Sequence, residues 1–177
     1  MSTDDLKPWS YVVLALIGDG GAAPHDLVDM LRRGGPLFYA AAPSQLYAEP
    51  KRLAEHGYVV AHKAPGRTRE RTVYALTDRG RAALRAWLAE PARFPRIQNE
   101  ANVRLLAGDL IDDATIVASL TAMRAELDEL AELLAEGEAR MTDVPHRARY
   151  LRLSFSLAER LLAAHREWLD EIEDELG

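Results

Sequence analysis

Apolar positions along this chain keep a helical period at first, switch to a strand-like one, and then return to helix. Between Leu6 and Ile17, Trp9, Val12, Val13 and Leu16 fall at i, i+3, i+4 and i+7, which predicts a short buried helix ended by Gly18-Asp19-Gly20-Gly21. Pro24 suits the first position of a second helix, with Leu27, Val28 and Leu31 on its apolar face and a stop at Gly34-Gly35-Pro36. Pro43 opens a third. Its inward face is Leu46, Pro50, Leu53 and Ala54, and Gly57 is its C-cap. Pro50 sits mid-helix without an N–H to donate, so a bend or a restart is expected there. Two β-prone runs follow, residues 58–61 and 72–76, on either side of Pro65-Gly66. They stand too far apart for a tight hairpin, which predicts a protruding ribbon. Thr77 can cap a fourth helix carrying Leu84, Trp87 and Leu88.

Pro91 and Pro95 mark a joint. Beyond it, Val103, Leu105, Leu106 and Leu110 restore the apolar period. Ile116, Leu120, Met123, Leu127, Leu130 and Leu134 then step by 4, 3, 4, 3 and 4, a heptad seam flanked by acidic residues. Gly137 and Pro145 break it. A last helix carries Leu153, Leu157, Leu161, Ala164, Trp168 and Ile172. The fold class expected is mainly α with a small β-ribbon. Residues 1–90 form a helix-rich domain with a β-ribbon, and residues 96–177 form a coiled-coil-like helical hairpin. So apolar a hairpin needs a cover, either the first domain or a second subunit. The residues expected at a dimer seam are Ile116, Leu120, Met123, Leu127, Leu130, Leu134, Leu157, Leu161 and Trp168.

Charge sharpens this division. The chain of 177 residues carries a net charge of −6, but unevenly. Residues 101–177 hold 8 Lys+Arg against 17 Asp+Glu, whereas residues 51–85 hold 9 against 3. The densest positive charge lies in the ribbon, HKAPGRTRER, with Lys63, Arg67, Arg69 and Arg71. A basic prong on an acidic protein points to a polyanion, because the local field steers the encounter. Three helices followed by a cationic ribbon predict a winged helix-turn-helix whose partner is double-stranded DNA. The third helix then enters the major groove while the ribbon reaches the flanking backbone or minor groove. Arg67, Arg69 and Arg71 alternate, which puts them on one face of an extended strand. On the third helix, Gln45 suits an adenine edge, Ser44 and Tyr47 suit phosphates or bases, and Lys51 and Arg52 suit phosphates.

The same residues carry a resemblance. The stretch PSQLYAEPKRLAEHGYVVAHKAPGRTRERTVYALTDRGRAALRAWL resembles the PadR family of transcriptional regulators. Tyr47, Leu53, Gly57, Tyr74, Leu76, Thr77 and Gly80 stand where that family has a tyrosine-led helix, a glycine, a basic wing and the run Y-x-L-T-x-x-G. The resemblance is specific over residues 6–88 and departs at Pro50 and in the loop of residues 34–42. It implies an N-terminal winged helix, a C-terminal helical dimerisation region of the longer subfamily, and dimeric repressors that answer to small molecules, often phenolics. A homodimer on a palindromic operator is therefore expected. His165 and Trp168, at i and i+3, would line an intersubunit pocket for a small aromatic effector.

Other classes are disfavoured. The chain has no cysteine, which excludes disulfides, thiol catalysis and cysteine zinc sites. The five histidines are scattered without ligand spacing, so no metal and no cofactor are expected. Gly18-Asp19-Gly20-Gly21 lacks the Lys-Ser/Thr of a phosphate loop and there is no G-x-S-x-G, so no enzyme is expected. The N-terminus MSTDDLKPW has no secretory pattern and the apolar run from Pro8 to Ile17 is too short for a bilayer, which points to a cytoplasmic protein without membrane contact. The alternative is a winged-helix module whose helical hairpin binds a protein partner instead of DNA.

Overall fold

The computed structural model describes residues 6–34, 37–39, 43–66 and 70–177. The chain divides into two compact units, the first ending at Arg93 and the second running from Phe94 to Gly177. In the first unit, α1 (Pro8–Ile17), α2 (Pro24–Gly34) and α3 (Pro43–Glu55) precede an antiparallel pair, β1 (Val59–Ala64) and β2 (Arg71–Leu76), and α4 (Asp78–Leu88) closes it. This order is a winged helix-turn-helix. Val59 faces Leu76 at the base of the ribbon and Ala64 faces Arg71 at its far end. Ala22 joins as a one-residue third strand, exchanging two 2.9 Å backbone hydrogen bonds with Tyr74.

Local signals explain each boundary. Pro8 opens α1, whose first turn is tied by the Lys7 N–H donating to Ser10 Oγ at 3.0 Å. Gly57 ends α3 with φ +74, a left-handed turn that glycine adopts without a Cβ penalty. The hydroxyl of Thr77 accepts from the Gly80 N–H at 3.1 Å as N-cap of α4 and shares its one proton between the Gly57 and Tyr58 carbonyls, at 2.7 and 3.0 Å. Arg79 donates to the His56 carbonyl at 2.8 Å and lies over the Tyr58 ring. The turn between α3 and β1 is thus clamped by the start of α4, which accounts for the Y-x-L-T-x-x-G run.

The core of this unit is built from Val13, Leu14, Ile17, Leu27, Leu31, Leu46, Leu53, Tyr58, Val59, Tyr74 and Leu76. Leu14, Leu27 and Leu53 are fully buried, each worth about 2 kcal/mol of apolar transfer. α1 is rotated from its expected setting: Ser10, Val13, Leu14 and Ile17 are buried while Trp9 and Leu16 pack at the margin. On α4, Leu84 meets the core, Trp87 stacks on Tyr11 with ring centroids 4.8 Å apart, and Leu88 is exposed. α3 continues through Pro50 as one helix, with Pro50 buried.

The second unit begins with α5 (Glu100–Leu106) and a 3-10 turn (Gly108–Leu110), followed by α6 (Asp113–Thr121), α7 (Arg124–Ala139) and the long α8 (Ala148–Leu176). The heptad seam does not run along one helix, because a turn at Ala122 and Met123 separates α6 from α7. α8 packs against both, antiparallel to α7. Arg124 donates to Asp170 at 2.6 Å and Glu173 at 2.7 Å, and Arg166 pairs with Asp128 at 2.7 Å. The hydrogen bonds it donates to Asp170 and Glu173 raise the Arg124 guanidinium above its ordinary value and keep it charged.

Candidate nucleic-acid interface

α3 buries Leu46, Pro50 and Leu53 and leaves Ser44, Gln45, Tyr47, Ala48 and Lys51 exposed. β1 exposes Val60, Ala61, His62 and Lys63, and the Lys63 ammonium donates to the Thr72 hydroxyl at 3.3 Å. The outward face of α3 thus offers hydrogen-bonding side chains, and β1, which packs against α3, offers a cation. Arg67 and Arg69 lie outside the described residues.

Two arginines expected to face phosphates are already engaged. Arg52 turns inward: its Nε donates to Glu49 Oε2 at 3.0 Å and its Nη2 donates to Glu49 Oε1 at 2.6 Å and to Ser10 Oγ at 2.9 Å. Burial pushes the Glu49 carboxyl up, but hydrogen bonds from Arg52 and Ser10 and the charges of Arg52 and Lys7 outweigh it, so the net shift is below its ordinary value. Arg71 reaches back to α2, donating from Nη1 to both oxygens of Asp26 at 3.0 and 3.2 Å. His25 joins this cluster, with Nε2 3.0 Å from Asp26 Oδ1. Asp26 also accepts the Ala23 N–H at 2.9 Å, which fixes it at the start of α2. Arg71 is the first residue of β2, and a carboxylate distant in sequence sets where its guanidinium goes.

The expected dimer seam is also redistributed. Ile116, Leu120, Leu127 and Leu134 are buried within the protomer against α8, and Met123 and Leu130 are half-buried with them. They hold the hairpin together and present no free apolar seam. α8 has two apolar lines. Phe155, Ala158, Leu162, Leu169 and Ile172 are buried against α6 and α7. The other line leaves Tyr150, Leu153 and Leu157 exposed, with Leu161 and Trp168 half-buried. The spacing of Tyr150, Leu153 and Leu157 at i, i+3 and i+7 makes an uncovered stripe that sequence periodicity alone merges with the buried one. Val103, Leu106 and Leu110 are exposed as well.

His165 caps no ligand-like cluster; its Nδ1 lies 2.7 Å from the Leu161 carbonyl of its own helix. A shallow groove between α7 and α8 is floored by Ala131, Leu134, Ala135 and Leu162, with Arg166 at its rim, and neither His165 nor Trp168 lines it. Among the described residues no group of three or more acidic or histidine side chains could hold a metal ion, and no helix is long and apolar enough to cross a membrane.

Residues 13–86 match the model of the transcriptional regulator PadR-like family, and residues 97–177 match that of the virulence activator alpha C-terminal region. The negative transcriptional regulator PadR of Bacillus subtilis is 25% identical over 182 residues, covering 94% of this chain and 96% of that protein. Its crystal structure with operator DNA superposes with a TM-score of 0.70 at 20% identity, over 94% of this chain and 99% of the other. The same protein has also been solved with p-coumaric acid, with a TM-score of 0.64 at 18% identity over 95% and 98% of the two chains. The Vibrio cholerae virulence activator AphA has a TM-score of 0.70 at 24% identity, over 94% and 96%. At these identities the structural likeness establishes the fold.

Proposed function

We propose, from the PadR-like domain that residues 13–86 match, that the chain is a PadR-like transcriptional regulator and not an enzyme, and that it engages DNA as follows. It acts in the cytoplasm as a homodimeric, ligand-responsive repressor that reads a palindromic operator in double-stranded DNA. The observation that carries this reading is the exposed face of α3, with Ser44, Gln45, Tyr47 and Lys51, together with the exposed cation of Lys63 on the ribbon. Gln45 carries base recognition, Ser44 and Tyr47 fix the helix in the groove, and Lys51 and Lys63, with Arg67 and Arg69, neutralise phosphates. Arg52 and Arg71 position other residues, being committed to Glu49 and Asp26.

The uncovered stripe of Tyr150, Leu153 and Leu157, continued by Leu161 and Trp168, supports dimerisation through α8. Two-fold pairing sets two recognition helices on successive half-sites. The Bacillus subtilis relative binds p-coumaric acid in its crystal structure. For this chain a small aromatic effector near His165 and Trp168 would act by favouring one spacing of the two reading helices.

Selection of duplexes from a random pool by the purified protein tests the reading, with a palindrome as the expected result. On the selected duplex, Lys51→Glu with Lys63→Glu is expected to lower the magnitude of the log–log salt slope by roughly 0.9 per residue and to weaken all sequences alike. Gln45→Ala is expected to cost about 1–3 kcal/mol on the selected sequence only. Affinity that survives the double charge reversal would remove the helix and ribbon from the interface and leave the hairpin as a protein-binding surface.

Asp26→Asn gives the opposite sign. Asparagine keeps an acceptor for the Ala23 N–H but gives up the charge that holds Arg71. Binding to random-sequence duplex should tighten, and its salt slope should steepen by roughly 0.9. A salt titration that superimposes on wild type would place Arg71 out of phosphate reach.

A further inference from the structure

Ser10 is a fully buried polar residue on the inner face of α1, in line with Val13, Leu14 and Ile17. A buried hydroxyl is costly unless bonded, and this one is saturated. It donates to Glu49 Oε1 at 2.7 Å and accepts from Arg52 Nη2 at 2.9 Å and from the Lys7 N–H at 3.0 Å. Glu49 and Arg52 are in turn joined by the two-pronged pair that locks them together. These two residues stand on either side of Pro50.

Pro50 has no N–H to give to the Leu46 carbonyl one turn back, so α3 is weakest between its two halves. The N-terminal half carries Ser44, Gln45, Tyr47 and Ala48. The C-terminal half is anchored by Leu53 and the clamped turn at Gly57. The charged pair spans the weak point, and the hydroxyl of Ser10 ties it to α1. Resting on the DNA-binding reading, we propose that Ser10 is a positioning residue for sequence recognition: through Glu49 and Arg52 it splints α3 across Pro50 and sets the angle at which the base-facing half meets the duplex. A change in α1 would reach the reading face by the same route.

The ratio of affinity for the selected duplex to affinity for a random-sequence duplex tests this, since the folded fraction cancels in it. Full-length wild type, Ser10→Ala, Pro50→Ala and the double variant are compared at one salt concentration. Ser10→Ala should lose about tenfold in the ratio, the size of one misread base pair, with random-sequence binding unchanged. Pro50→Ala should restore most of the loss in the double variant, because an unbroken hydrogen-bond ladder does not need the splint. Glu49→Ala combined with Arg52→Ala leaves net charge unchanged and the bond between Lys7 and Ser10 in place, and should reproduce the Ser10→Ala loss even if the proline variant folds poorly. A Ser10→Ala ratio within twofold of wild type overturns the proposal. So does a loss shared neither by the Glu49 and Arg52 pair nor recovered by Pro50→Ala, which would make Ser10 a cap of α1 alone. A wild-type protein that selects no duplex overturns the DNA-binding reading itself, and the proposal with it.

Discussion

Gly80→Ala is expected to destabilise the N-terminal unit by more than about 3 kcal/mol, the upper end of ordinary overpacking. Gly80 lies in the first turn of α4, and a methyl group there would sit on the Tyr58 carbonyl oxygen. That oxygen already accepts from the backbone and side chain of Thr77. Neither partner can move cheaply, because the obstacle is backbone held by the α4 cap on one side and by the base of β1 on the other. Domains of this size have roughly 5–15 kcal/mol of stability in all, so the variant should lose a large part of its cooperative unfolding transition. Gly20→Ala is the control, since nothing lies within 4 Å of a Cβ there and its φ is ordinary. Denaturant unfolding followed by near-ultraviolet circular dichroism reads both. A Gly80→Ala midpoint indistinguishable from that of Gly20→Ala would mean that α4 does not dock on Tyr58 as described.

The second large effect concerns assembly. Leu153→Asp with Leu157→Asp should convert the protein to a monomer with its helical content intact, because both side chains are more than half exposed in the protomer. Operator affinity should fall by about 100-fold or more, since one half-site loses the linkage to the other. Leu127→Asp should behave differently. Leu127 is buried between α7 and α8, and an unpaired carboxylate there should unfold the hairpin outright. Sedimentation and far-ultraviolet circular dichroism on the three proteins separate the outcomes. A stable dimer carrying both aspartates would shift the interface off the stripe and onto another surface.

These two effects mark where sequence reasoning succeeds and where it stops. Pro24 and Pro43 at helix starts, Gly57 at a left-handed turn and Thr77 at a cap were legible because each acts on backbone within a few residues. The strand pair and its register direction followed from two β-prone runs around Pro65-Gly66. Heptad spacing likewise identified Ile116, Leu120, Leu127 and Leu134 as apolar seam residues, although the turn at Ala122 and Met123 left no trace in the period.

Sequence by itself therefore determined the helices and strand pair of the N-terminal unit, their order and the charge of the ribbon, since these arise from local conformational preference and from charge counted along the chain. Only the tertiary structure decided the partners. It assigned the heptad seam to α8 of the same chain, left Tyr150, Leu153 and Leu157 uncovered, and turned Arg52 and Arg71 toward Glu49, Ser10 and Asp26. A helix with two apolar lines has no local reason to bury one and not the other. An arginine goes to whichever carboxylate folding brings within reach, and for Arg71 that carboxylate lies 45 positions away in the chain.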